Sequence, residues 1–162
     1  MLRPLLALVC VTFGATLSGT QNPTVNQFAV TIHARGTFDV KVTPDSQVDN
    51  DTSPGFGRLR LDKTFHGDLV ATSVGEMLAA ATTVQGSAGY VALERVTGTL
   101  NGHRGSFVLQ HSGSMQGSSM HLAISVVPDS GTDELTGLSG TMRIVVAAGG
   151  THAYDLEYSL PE

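Results

Sequence analysis

The sequence predicts an all-β domain of eight antiparallel strands, closed as a barrel or stacked as a sandwich. Three observations carry this. The 162 residues include 19 Gly and no Trp, with abundant Thr, Ser and Val, a composition of short strands and tight turns. From Phe28 onward no apolar spacing of three and four residues is sustained, so no long helix is expected. Turn signals recur at roughly ten-residue intervals, the spacing of an antiparallel sandwich or barrel.

Taken in order, the chain opens on "MLRPLLALVCVTFGATLSG". One basic residue, Arg3, an apolar run from Leu5 to Phe13 and then small residues form the layout of a secretory signal over residues 1–18. The run is too short for a bilayer, which takes about 20 apolar residues. Residues 19–28 read as a linker, and 29–161 as a single domain. The expected location is therefore secreted or periplasmic, with a cytoplasmic protein as the alternative. Removal of the leader would take away Cys10, the single cysteine, and with it every thiol-based chemistry.

The first strand is "FAVTIHARGTFDVKV", followed by a polar loop, "TPDSQVDNDTSPGFG". Two strands lie in "GRLRLDKTFHGDLVATSVGEMLAAA" and two in "GYVALERVTGTLNGHRGSFVLQHSGSM". "SSMHLAISVVP" adds another, "PDSGTDELTG" turns the chain, and "GTMRIVVAAGGTHAYDLEYSL" supplies the last pair. Asn101-Gly102 is the dipeptide best able to hold two successive positive φ angles, so it fixes a two-residue hairpin. Leu100 then faces His103, Val96 faces Phe107, Glu94 faces Leu109 and Ala92 faces His111.

Alternation puts Tyr90, Glu94, Val96, Phe107, Leu109 and His111 on one side of the sheet. Leu122, Ile124 and Val126 of the next strand join them for either length of the "MQGSSM" turn. This apolar set marks the interior, and Gln110 points outward. Glu94, His111 and Tyr90 lie on inward diagonals roughly 7 Å apart in the backbone, within reach of one another. "LRLDKTF" points Lys63 inward beside Leu61 and Phe65. Glu76 faces in if the "FHGDL" loop has two residues and out if it has three.

Two readings follow. In one, Glu94 is a carboxyl kept from water with a raised pKa, exchanging protons with a bound molecule while His111 or Tyr90 orients an oxygen. Lys63 is then a second inward charge, and Glu76, Phe107, Leu109 and Ile124 line the ligand. In the other, the same groups are a satisfied polar cluster, since a lone buried charge costs several kcal/mol.

Other chemistries find little support. The six histidines show no H-x-H or H-x-x-x-H spacing, so no metal site is expected. "DNDTS" lacks the glycine and closing glutamate of a calcium loop. "GTDELTGLSG" has no strand-then-helix context for phosphate, and no G-x-S-x-G occurs. A net charge of −5 without a basic cluster excludes nucleic-acid binding. Asn50-Asp51-Thr52 is a glycosylation sequon, relevant only to a secreted eukaryotic protein. Nothing calls for a cofactor.

From about Ala34 to Pro161 the sequence resembles the bacterial family known as domain of unknown function number 3224. "GRLRLDKTFHGDLVATSVGEMLAA", "GSAGYVALERVTGTLNGHRGSFVLQHSGSM", "VVPDSGTDELTGLSG" and "YDLEYSLP" carry the likeness. The resemblance implies an eight-stranded antiparallel β-barrel similar to that of allene oxide cyclase, whose relatives hold a flexible apolar molecule in the lumen. It brings no catalytic residues with it. The resulting expectation is a small-molecule-binding barrel that encloses an apolar ligand, with isomerase or cyclase activity as its catalytic form. The alternative is a non-enzymatic structural protein with a solidly packed barrel and an outer face that makes a homo-oligomer.

Overall fold

The computed structural model describes residues 31–49 and 55–161. The expected leader, the linker and the sequon lie outside them. Eight strands form a closed antiparallel barrel in chain order: β1 (Ile32–Asp49), β2 (Phe56–Gly67), β3 (Leu69–Ala81), β4 (Ala88–Leu100), β5 (His103–Gln116), β6 (Ser119–Val126), β7 (Ser139–Val146) and β8 (His152–Ser159). Strand β8 returns to pair with β1, which settles the choice between sandwich and barrel. Among the described residues no helix is long and apolar enough to cross a membrane.

The predicted register holds. Asn101 and Gly102 take φ values of 47° and 88°, and Leu100↔His103, Glu94↔Leu109 and Ala92↔His111 pair as expected. Asn101 Nδ2 also donates to the Tyr158 hydroxyl at 2.9 Å, tying the hairpin to β8. The β5–β6 turn has two residues, with Gln116 facing Ser119. The "FHGDL" turn has three, so Phe65 faces Ala71 and Arg60 faces Glu76.

The expected polar loop after the first strand is in part strand. β1 runs on to Asp49 against Phe56, Gly57 and Arg58, with register breaks between Pro44 and Ser46 and between Gln47 and Asp49. Proline has no N–H for a ladder but is tolerated beside such irregularities, so a polar, proline-bearing segment stays paired. The "DEL" of the later turn forms a short 3₁₀ helix, Asp133–Leu135. Its segment places Leu135 and Leu138, both 1% exposed, among the core side chains. Strand β6 meets β7 through Ser125↔Thr141. Beside this seam the connection between them lies on β5: Thr132 N–H donates to Ser106 O, and Ser130 Oγ accepts from Val108 N–H.

Candidate functional site

The lumen is filled unevenly along its length. At the end carrying the Asp68 and Asn101-Gly102 turns, Leu69, Leu100, Phe107, Leu109, Tyr154 and Leus 135, 138 and 156 form one continuous core. Phe65 stacks edge-on to Tyr154, ring centroids 5.7 Å apart, and the Tyr154 hydroxyl accepts from Leu69 N–H at 2.9 Å. Toward the other end, exposure rises along strand after strand on the inward side. On β5 His111 is 4% and Met115 43% exposed; on β6 Ile124 is 3% and Met120 58%; on β1 Phe38 is 5% and Val42 47%. Between these extremes Leu59, Met77, Tyr90, Leu122 and Ile144 are half-buried. The barrel is thus packed below, and at its upper end, the mouth, apolar inward-facing side chains are exposed.

A polar cluster lies in the lumen beneath that mouth. Lys63 Nζ donates to Glu94 Oε2 at 2.5 Å, and Ser73 Oγ donates to Glu94 Oε1 at 2.5 Å. His111 Nε2 stands 3.0 Å from Glu94 Oε2. This last contact is close but off the hydrogen-bond axis, so Nε2 has no aligned hydrogen-bond partner. Lys63 Nζ also lies 5.0 Å from the centre of the Phe38 ring and 5.8 Å from that of Phe65, where aromatic faces favour a cation.

Local sequence explains the convergence. On β3 Gly75 pairs with Glu94 and Leu61. A Cβ there would come within 3.0 Å of Glu94 Cα and Cβ, so only glycine leaves β4 this room. Lys63 faces Ser73 one inward step away, which aims both side chains at the same carboxylate.

Electrostatics reverses one expectation. Burial pushes the Glu94 carboxyl up, but the His111 contact, the Lys63 charge and hydrogen bond, and the Ser73 hydroxyl outweigh it and hold the pKa at about 2. Glu94 is therefore a fixed anion near neutrality and not a carboxyl poised to exchange protons. The expected raised pKa fails because two donors and a cation satisfy the carboxylate.

The other predicted residues divide. Glu94, His111 and Lys63 are brought together, and Ser73, which sequence reading missed, joins them; the three-residue loop length would have found it through the Lys63↔Ser73 pair. Tyr90 shares the inward face but stays apart. Its ring lies over Gly113, where a Cβ would meet Cε1 at 2.2 Å, and burial pushes its hydroxyl up. Among the described residues no hydrogen bond joins it to Glu94 or His111. Phe107, Leu109 and Ile124 face the lumen at 1%, 0% and 3% exposure, packed in the core or its upper edge. Glu76 is corrected to the outer face, where it pairs with Arg58.

Comparison with known proteins adds family and no chemistry. A family model described as "Protein of unknown function (DUF3224)" matches residues 34–158. No curated protein matches the chain. A solved structure of a protein of unknown function from the same family in Shewanella oneidensis MR-1 is 48% identical; the match covers 82% of this chain and 100% of that one, with a TM-score of 0.76. The family match over residues 34–158 and this sequence agreement lead to one assignment: the chain belongs to the DUF3224 family.

Proposed function

We propose that this protein binds a small apolar molecule in the open end of its barrel. The carrying observation is the exposure gradient, from Ile124 at 3% to Met120 at 58% on one strand and from His111 at 4% to Met115 at 43% on its neighbour. Inward-facing apolar side chains left accessible are costly unless something covers them, at about 25 cal/mol per Å². An eight-stranded barrel has room for one small ligand. Three methionines, Met77, Met115 and Met120, give the mouth an adaptable, polarisable lining.

The polar cluster serves this reading as a floor. Lys63, Ser73 and His111 already occupy the Glu94 carboxylate, so its role is to hold β2, β3, β4 and β5 together under the ligand. Tyr90, at the wall of the mouth, is the phenol available to an oxygen on the ligand. The test is native mass spectrometry of protein exposed to a mixture of lipophilic metabolites. A retained adduct of one molecule per chain is expected, and a spectrum showing bare protein throughout would overturn the proposal.

A further inference from the structure

A second concave surface lies on the outside of the barrel, away from the lumen. Across β2–β5 an open groove of about 1010 Å³ is lined mainly by outward residues of all four strands, with Gly75, Met77, Ala92 and Glu94 of the inward face bordering it. Four apolar side chains face it: Val74 and Leu78 of β3 and Val91 and Leu93 of β4, 41–56% exposed. Leu78 faces Val91, and Leu93 is one outward position further along β4; Val74 is two outward positions from Leu78, with Glu76 between them facing Leu93 and held by Arg58. The adjoining trio Leu78, Val91 and Leu93 is clustered apolar surface, which marks a binding face more often than isolated exposed residues do.

The ionisable side chains that reach the groove from the outer face are Arg58, Arg60, Arg95 and Glu76, and Asp62 stands beside it across from Val74. Arg58 is engaged by Glu76 and by Asp45 at 3.5 Å, and Arg60 by Asp62 at 3.1 Å. Arg95 has no ion-pair partner among the described residues. It sits directly across from Val74 and one outward step from Leu93, with a guanidinium fork suited to a carboxylate. From Arg95 to Val91 the strand runs about 13 Å, an apolar track leading away from a single free cation.

We infer that this groove binds a small anionic amphiphile, a medium-chain carboxylate, with its head on Arg95 beside Val74 and its chain over Leu93, Val91 and Leu78. The site is independent of the barrel mouth. Calorimetric titration of the full chain with dodecanoate tests it, with dodecanol and dodecylammonium as controls. Saturable dodecanoate binding is expected, weakened about tenfold or more by Arg95→Gln and lost in Leu93→Asp. Both controls should bind much more weakly. Leu122→Trp, which fills the mouth, should leave this binding unchanged, so failure of the lumen reading and failure of this one are separable. Equal affinity for dodecanol, or an Arg95→Gln variant that binds as the parent does, would overturn the inference. So would sedimentation showing a dimer that Leu93→Asp dissociates, since the face would then be occupied by a second copy.

Discussion

Lys63 Nζ and Glu94 Oε2 lie 2.5 Å apart inside the barrel, with side chains 6% and 0% exposed. Both ions have given up water, and the pair is tolerable because Ser73, His111 and two phenylalanine rings complete their surroundings. A buried pair of this kind is weak as a net source of stability but expensive to break.

Removing the cation alone should therefore be severe. Lys63→Met leaves an uncompensated buried anion and is expected to cost about 3–5 kcal/mol, read by chemical denaturation. Adding Glu94→Gln removes the stranded charge and should recover much of that loss. The non-additivity in this double-mutant cycle measures the coupling; additive effects would mean that the two groups do not act as a pair.

Acid should act through Glu94. Its folded-state pKa of about 2 lies below the 4.5 of an unperturbed glutamate, so the unfolded chain takes up the proton first. The stabilisation is complete above pH 4.5 and drains away as pH falls from 4.5 towards 2. At ~1.4 kcal/mol per pKa unit it amounts to something on the order of 3 kcal/mol. Unfolding measured across this window should steepen in the parent and flatten in Glu94→Gln. Identical acid limbs would place the titrating group elsewhere.

The two halves of the lumen should respond differently to truncation. Leu109, fully buried beside Phe107, is expected to cost about 2–5 kcal/mol on replacement by Ala. Leu122, half-buried in the mouth, should cost roughly 1 kcal/mol or less. Equal costs in thermal or chemical unfolding would indicate a barrel packed to the same density throughout.

Much of this arrangement was legible in the sequence because one turn fixed a register. Asn101-Gly102 set the pairing of β4 and β5, and period-two alternation then sent Glu94 and His111 inward and Gln110 outward. Lys63 followed from its own apolar neighbours. The Lys63–Glu94 contact was not legible, because it crosses β3, whose register depends on whether the loop at Asp68 has two residues or three. The same uncertainty left Glu76 undecided. The sign of the Glu94 shift was misread for a related reason: burial alone raises a carboxyl pKa, and the Ser73 hydroxyl and Lys63 ammonium that reverse it come from strands whose offset was unknown. Tyr90 shares the predicted face but not the cluster, since alternation fixes direction and says nothing of which neighbour a ring will cover, here Gly113. The open mouth depends on how far strands outrun the core, a property of the closed barrel that no single strand reveals.

The central claim is that the upper lumen is an accessible apolar site above a closed floor. Fluorescence titration with the neutral dye Nile red, comparing the parent chain with Leu122→Trp and Arg95→Gln, tests it most directly. The account predicts saturable binding of one dye per chain, weakened about tenfold or more by the indole that fills the mouth and unaffected by the change on the outer face. Absence of saturable binding, or equal binding by the parent and Leu122→Trp, would contradict it.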